Sequence, residues 1–328
     1  MCIICRGEYH GMKEIMCYTC QSLTEIPIIP GLENLYCYNC PNLKEIPIIS
    51  GIKKIVFNVC NGLTTIPVIP GLKILILQWC GNITEIPVMP DLEELSCDWC
   101  ENIAEIPNIP GLKFLNCKGC KGLIKINDLP DITTLICSIC PKLTELPNMP
   151  NLEVLECFSC VGLTKICNMP HLRKLVCTGC SYLQEIPSIC NLKLLDCSLC
   201  IRLTKIPVIP GLEKLYCDHC PIKEIPFIPT LKLITCNYCR NLTKFPGISG
   251  SKILCAQCPW VPCNNDNFKQ NLKKLADLQK YVKKYHKLKI CKRWVQSDDF
   301  RLWYYHPEGP GGVKAVLRLI NKIKMNKF

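Results

Sequence analysis

The sequence predicts a solenoid in which twenty-residue turns stack into one parallel β-sheet, with a small basic module after it. Three observations carry this. First, the stretch LENLYCYNCPNLKEIPIISG at 32–51 recurs with small changes up to about Cys258. A fixed period of this size marks one supersecondary unit stacked on copies of itself. Second, with Leu32 as position 1, apolar residues return at positions 1, 4, 12, 15 and 18, and cysteine stands usually at 6 and always at 9. Third, proline usually occupies positions 16 and 19, and position 20 is Gly, Asp or Asn in most copies.

Each part of the copy has a physical reading. Positions 3 to 7 (Asn34, Leu35, Tyr36, Cys37 and Tyr38) alternate outward and inward, the period of a half-buried strand. The strand of the next copy then lies beside it, parallel and in register. Proline at 16 and 19 removes backbone donors and fixes φ, which rules out a regular helix or a central strand there. Extended, polyproline-like chain with Ile46 and Ile49 turned inward fits. Position 20 tolerates positive φ and is the predicted turn into the next strand. A single copy cannot bury its own apolar face, so stacking is obligatory.

Three segments follow in order. Residues 1–11 read as a truncated N-terminal cap, because Met12 comes only seven positions after Cys5 where Ile52 comes twelve after Cys40. Residues 12–258 are the array, with full copies starting at Met12, Leu32, Ile52, Leu72, Leu92, Leu112, Ile132, Leu152, Leu172, Leu192, Leu212 and Leu231, and a partial one ending at Cys255 and Cys258. Residues 259–328 are a basic, aromatic-rich module expected to be mainly helical. Leu272, Leu275, Leu278, Val282, Tyr285 and Leu288 form an apolar stripe at helical spacing, and Trp294, Phe300, Trp303, Tyr304 and Tyr305 are crowded together after it. The net charge of +12 divides unevenly: the first 258 residues carry 23 basic and 22 acidic side chains, the remainder 16 and 5. Any electrostatic function therefore belongs to the module. The sequence shows no secretory leader and no stretch long enough to span a membrane. Thirty cysteines without an export signal point to an intracellular, reducing compartment.

The pattern LxxLxCxxCxxL resembles the leucine-rich repeat, in its cysteine variant, with Cys37 at the third leucine position and Cys40 at the asparagine or cysteine position. The IPxIP half is similar to the twenty-residue repeat of secreted bacterial effectors, and the cysteine-rich version most resembles leucine-rich repeat proteins of giant DNA viruses. The resemblance implies a leucine-rich repeat solenoid, a right-handed β/α-type superhelix with the sheet on its concave face and extended chain on its convex face. It also implies a binding scaffold, with host cytoplasm as its place if the chain is viral.

The CxxC in nearly every copy invites a zinc reading, but Phe57 and Leu77 replace cysteine at position 6 while Cys60 and Cys80 remain at 9. A core position tolerates that exchange and a ligand set does not, so no metal is expected. Position 6 is then a core site and position 9 a small buried donor that bonds the following turn. Catalysis has no support: His10, His171, His219, His286 and His306 are scattered, with neither a zinc-protease motif nor a nucleophile elbow nor a phosphate-binding glycine loop, and no cofactor is implied.

Function then falls to the outward positions 3, 5, 7 and 8. In three consecutive copies these hold Ile74, Ile76, Trp79, Trp99 and Phe114, expected to form a contiguous apolar patch flanked by Glu94 and Asp98. Clustered aromatics with charge at the rim have the composition of a protein-binding hot spot. The competing reading is that both indoles lie over the turn and cover the core edge. A protein partner, a host protein included, is the expectation. The alternatives are an adaptor that recruits a host enzyme such as a ubiquitin ligase through the module, and nucleic-acid binding by its basic face.

Overall fold

Apolar side chains at positions 1, 4, 6, 9, 12, 15 and 18 can all leave water only if each copy closes into a loop around them and the next copy seals its open side. The computed structural model, which describes residues 2–244 and 251–258, has that form. Thirteen strands, from Glu14–Tyr18 to Lys252–Leu254, form one sheet in strict chain order. Neighbours are parallel and shifted by one copy, Leu35 facing Ile15 and Ile55. The strands at Glu14–Tyr18, Asn34–Tyr38, Lys54–Asn58 and Ile74–Gln78 span five residues and those after them in the sheet span three. All seven inward residues of the copy at Leu32 are buried: Leu32, Leu35, Cys37, Cys40, Leu43, Ile46 and Ile49. The core is one continuous column of such residues.

Three tight turns bend the copy at Leu92. The amide of Cys100 donates to the Cys97 carbonyl, that of Ile103 to Cys100 and that of Leu112 to Ile109, each an i to i+3 closure. Between the second and third turns the chain is extended. Positions 15 and 18 point inward there, three residues apart as in a threefold polyproline-like chain, and both prolines sit where no ladder amide is needed. A two-stranded pairing of Glu105–Ile106 with Lys125–Ile126 and isolated bridges such as Glu25 to Glu45 run along this side.

Two expectations are corrected. Among the described residues there is no helix, so the superhelix is not of the β/α type: the proline pair leaves the return segment extended. The second correction concerns the left-handed residue. At position 20 only Gly31, Gly51, Gly71 and Gly111 have positive φ, whereas position 8 has it in every copy, from Thr19 (49°) through Trp79 (56°) and Ile139 (60°) to Gln257 (53°). A left-handed residue other than glycine costs roughly 1–2 kcal/mol. The offset is a backbone bond: the amide of Trp99 donates to the Lys118 carbonyl at 2.7 Å, and that of Ile139 to Phe158 at 2.8 Å, each reaching the next copy. At position 20 the polar residues bond instead to the preceding copy. Asp91 accepts from the Gly71 amide, and Asn151 donates to the Pro130 carbonyl.

The helical character expected for 259–328, and the nucleic-acid alternative that rests on it, lie outside the described residues. No helix among the described residues is long and apolar enough to cross a membrane.

Candidate partner-binding surface

The left-handed backbone at position 8 is what presents the two tryptophans. It turns the chain out of the strand so that Cys80 and Cys100 return to the core while Trp79 and Trp99 project from the sheet edge. Neighbouring copies in a parallel ladder are separated by about 4.8 Å, and the two indoles stack at 4.7 Å between ring centroids with planes 6° apart. Trp99 also lies flat on the next copy: a Cβ placed on Gly119 would stand 2.6 Å from its ring, so only glycine fits beneath it. The Lys121 ammonium sits 6.0 Å from the same ring. Trp99 is half-buried by these contacts, and Trp79, on top, remains 50% exposed.

Ile74 and Ile76 occupy outward positions of the strand Ile74–Gln78 and are half-buried, with Val56 in register beside Ile76. Phe114 is outward on its own strand, Phe114–Asn116. The register, however, runs Ile74, Glu94, Phe114, which puts the Glu94 carboxylate between the two apolar side chains where the sequence reading had it at the flank. Asp98 is likewise drawn in: its carboxylate accepts from the Ser96 hydroxyl at 2.7 Å and its carbonyl from the Trp79 amide at 3.0 Å. The surface is therefore a stacked indole pair beside an aliphatic cluster, with Phe114 set apart.

Sequence reasoning passed over two further features. Aromatic pairs stack elsewhere on the ladder, Tyr18 on Tyr38 at 5.0 Å and His219 on Tyr238 at 4.4 Å. On the opposite side, position 17 exposes Ile28, Ile48, Val68 and Val88 in four successive copies. The signal was available, since the residue between the prolines is apolar in those copies and polar in the five that follow.

The cysteine ladder resolves into two roles. From Cys60 onward each position-9 thiol donates to the position-6 carbonyl of the preceding copy: Cys100 to Leu77 at 3.2 Å, Cys160 to Cys137 at 2.9 Å, Cys180 to Cys157 at 3.0 Å. The bond runs backward along the stack, where the sequence reading sent it to the following turn. It explains why position 6 accepts Phe57 and Leu77, since only their carbonyl is used. Burial pushes the Cys100 thiol up, which keeps it protonated and able to donate. Every described cysteine is a free thiol. Cys190, at a proline position, is exposed, and Cys167 is half-buried with its thiol 3.6 Å from the Leu146 carbonyl. Among the described residues, three metal-ligating atoms gather within 4.8 Å of one another at two places, Cys2 with Cys5 and Cys20, and Cys236 with Cys255 and Cys258.

A surface depression of about 390 Å³ is lined by residues including Glu101, Lys121 and Lys142, with no nucleophile and base side by side. His219 is engaged in its stack with Tyr238, and His10 lies against Tyr9.

No protein-family model matches the sequence, and no curated protein does. Among solved structures the chain is similar to the crystal structure of a leucine-rich repeat protein from Bacteroides ovatus ATCC 8483, at 14% sequence identity over 77% of this chain and 76% of that one, with a TM-score of 0.38.

Proposed function

We propose that the chain is a scaffold of the leucine-rich repeat type, without catalytic activity of its own, that captures a protein partner on the outward face of its sheet. The observation that carries the reading is the half-exposed Trp79 stacked on Trp99 beside Ile74 and Ile76. Stacking and the Gly119 seat fix both indoles before any partner arrives, so little side-chain entropy is lost on binding. Rigid aromatic anchors next to aliphatic surface are the residues that dominate binding energy in protein interfaces. The division of labour along each copy supports the same reading. Inward positions are nearly invariant because the core requires them, while outward positions 3, 5, 7 and 8 differ from copy to copy at no cost to packing. Glu94 and Asp98 add negative charge within the patch, favouring a partner that presents a basic group beside its apolar contact.

The test is capture by the immobilised full chain, with the wild type compared against Trp79→Ala/Trp99→Ala. Loss of one anchoring tryptophan, at about 2 kcal/mol or more, would lower affinity at least on the order of thirtyfold. Retention of the same partners by the double variant at unchanged affinity would sink the proposal, provided far-UV circular dichroism shows the sheet intact.

A further inference from the structure

The N-terminal turn carries a cysteine cluster that the ladder does not explain. In the interior, a position-9 thiol finds its partner in the position-6 carbonyl of the preceding copy. Cys20 is the position-9 residue of the first full copy and has no such copy behind it. Instead, the Cys5 sulfur lies 3.6 Å from its own, and the Cys2 sulfur lies 3.6 Å from that of Cys5. The CIICRG turn is wound tightly enough to do this: the Gly7 amide donates to the Ile4 carbonyl at 2.9 Å, the Arg6 amide to Cys2 at 3.2 Å, and Gly7 has a φ of 73°. Buried Ile4 anchors the turn on the core, so both of its thiols face the array.

Zinc bound by cysteine sulfurs at about 2.3 Å in a tetrahedron separates them by roughly 3.8 Å. The two separations, 3.6 Å each, are close to that edge length. We propose that Cys2, Cys5 and Cys20 hold a zinc(II) ion through three sulfurs, a solvent molecule completing the tetrahedron, and that the ion clamps the N-terminal turn to the first copy. On binding, each thiol releases its proton to solvent as its zinc–sulfur bond forms, and no electron is transferred. Cys2 and Cys5 are half-buried and give the ion a way in, while Cys20 is buried and holds the geometry from the array.

The trio at the other end differs in kind. There the Cys258 thiol already donates to the Cys236 carbonyl at 2.9 Å, as everywhere in the ladder. That sulfur is engaged by the stacking itself, and the proposal is confined to the N-terminal turn.

The experiment uses the full chain, reduced and purified without chelator, beside Cys2→Ser/Cys5→Ser and an exposed-thiol control, Cys190→Ser. Cobalt(II) added to the metal-free protein should give the charge-transfer absorption of a cobalt thiolate and the d–d bands of a tetrahedral ion. Both should be kept in the control and lost in the double variant, which should also hold one equivalent less zinc. A measurement on the wild type alone guards against a variant that fails to fold: zinc should slow alkylation of Cys2 and Cys5, read by mass spectrometry, at least about tenfold while leaving Cys190 unaffected. Equal zinc content in wild type and a folded double variant, or alkylation of Cys2 and Cys5 at the same rate with and without zinc, would overturn the proposal.

Discussion

Cys160 isolates the contribution of the thiol ladder. Its side chain is fully buried and its sulfur lies 2.9 Å from the Cys137 carbonyl. Replacing it with alanine removes the donor to a buried carbonyl, which costs about 1–3 kcal/mol. It also removes the burial of one sulfur, comparable to a methylene at about 0.8 kcal/mol. Cys160→Ala should therefore destabilise by about 2–4 kcal/mol. Cys160→Val restores volume without a donor and should recover only the smaller part. Cys160→Ser keeps a donor but buries a hydroxyl on a shorter arm, and should fall between the alanine variant and wild type. The comparison site is Cys157, at position 6 of the same copy and equally buried. Its alanine variant should lose about 1 kcal/mol, the sulfur's burial alone. Urea unfolding followed by far-UV circular dichroism gives each difference. If Cys160→Val is as stable as wild type, or Cys157→Ala costs as much as Cys160→Ala, the carbonyl bond is not what keeps cysteine at position 9.

Glycines separate packing from conformation. A Cβ on Gly122 would stand 2.5 Å from the Glu101 carbonyl oxygen, so Gly122→Ala should destabilise by about 1–3 kcal/mol in the same urea assay. Gly81 has nothing within 4 Å, and Gly81→Ala should change stability by less than about 0.5 kcal/mol. Gly119→Ala should displace the Trp99 indole, reported by a changed near-ultraviolet circular dichroism of the stacked pair. Glu33 lies between Lys53 at 2.7 Å and Lys13 at 2.9 Å, and these ammonium groups lower its pKa from 4.5 to about 2. The folded value is the depressed one, so its contribution is present above pH 4.5 and disappears as the pH falls toward 2. A carboxyl carbon titration by NMR should show this, with Lys53→Ala moving Glu33 back toward its ordinary value.

The seven inward positions were legible because they repeat without exception in chemical type, and periodicity is the strongest signal a sequence carries. Position 8 was not legible by the same means. Its occupants include Thr19, Val59, Trp79, Ile139 and His219, and no composition common to them announces positive φ. What selects the left-handed conformation is the amide bond to the next copy, a property of the stack rather than of the residue. Glycine, aspartate and asparagine at position 20 advertised a turn, but half of its need is met by side-chain bonds along the stack instead of by φ. Glu94 shows the limit of reading a surface from a list of outward residues. Its placement depends on the register, and a parallel one-copy shift sets it between Ile74 and Phe114. The N-terminal cysteines were hidden by abundance. A CxxC in almost every copy makes Cys2 and Cys5 look ordinary, and only the shortened spacing to Met12 distinguishes them.

The ladder spacing also bears on how the indole pair should be weighed. Two adjacent copies with aromatic residues at position 8 are brought to stacking distance by the fold itself. His219 and Tyr238 occupy the same position and stack at 4.4 Å. Stacking alone therefore reports the geometry of the array and not a binding site. What sets Trp79 apart is that it remains half exposed after the stack has formed, next to Ile74 and Ile76, whereas Trp99 is taken up by Gly119. The two residues should accordingly separate in a capture assay. Trp79→Ala should remove contact with the partner directly, while Trp99→Ala should act by releasing Trp79 from its support, so Trp99→Phe, which keeps a flat ring beneath it, should restore most of the affinity. Equal losses for Trp99→Ala and Trp99→Phe would mean that Trp99 touches the partner itself, and that the Gly119 seat does not define its role.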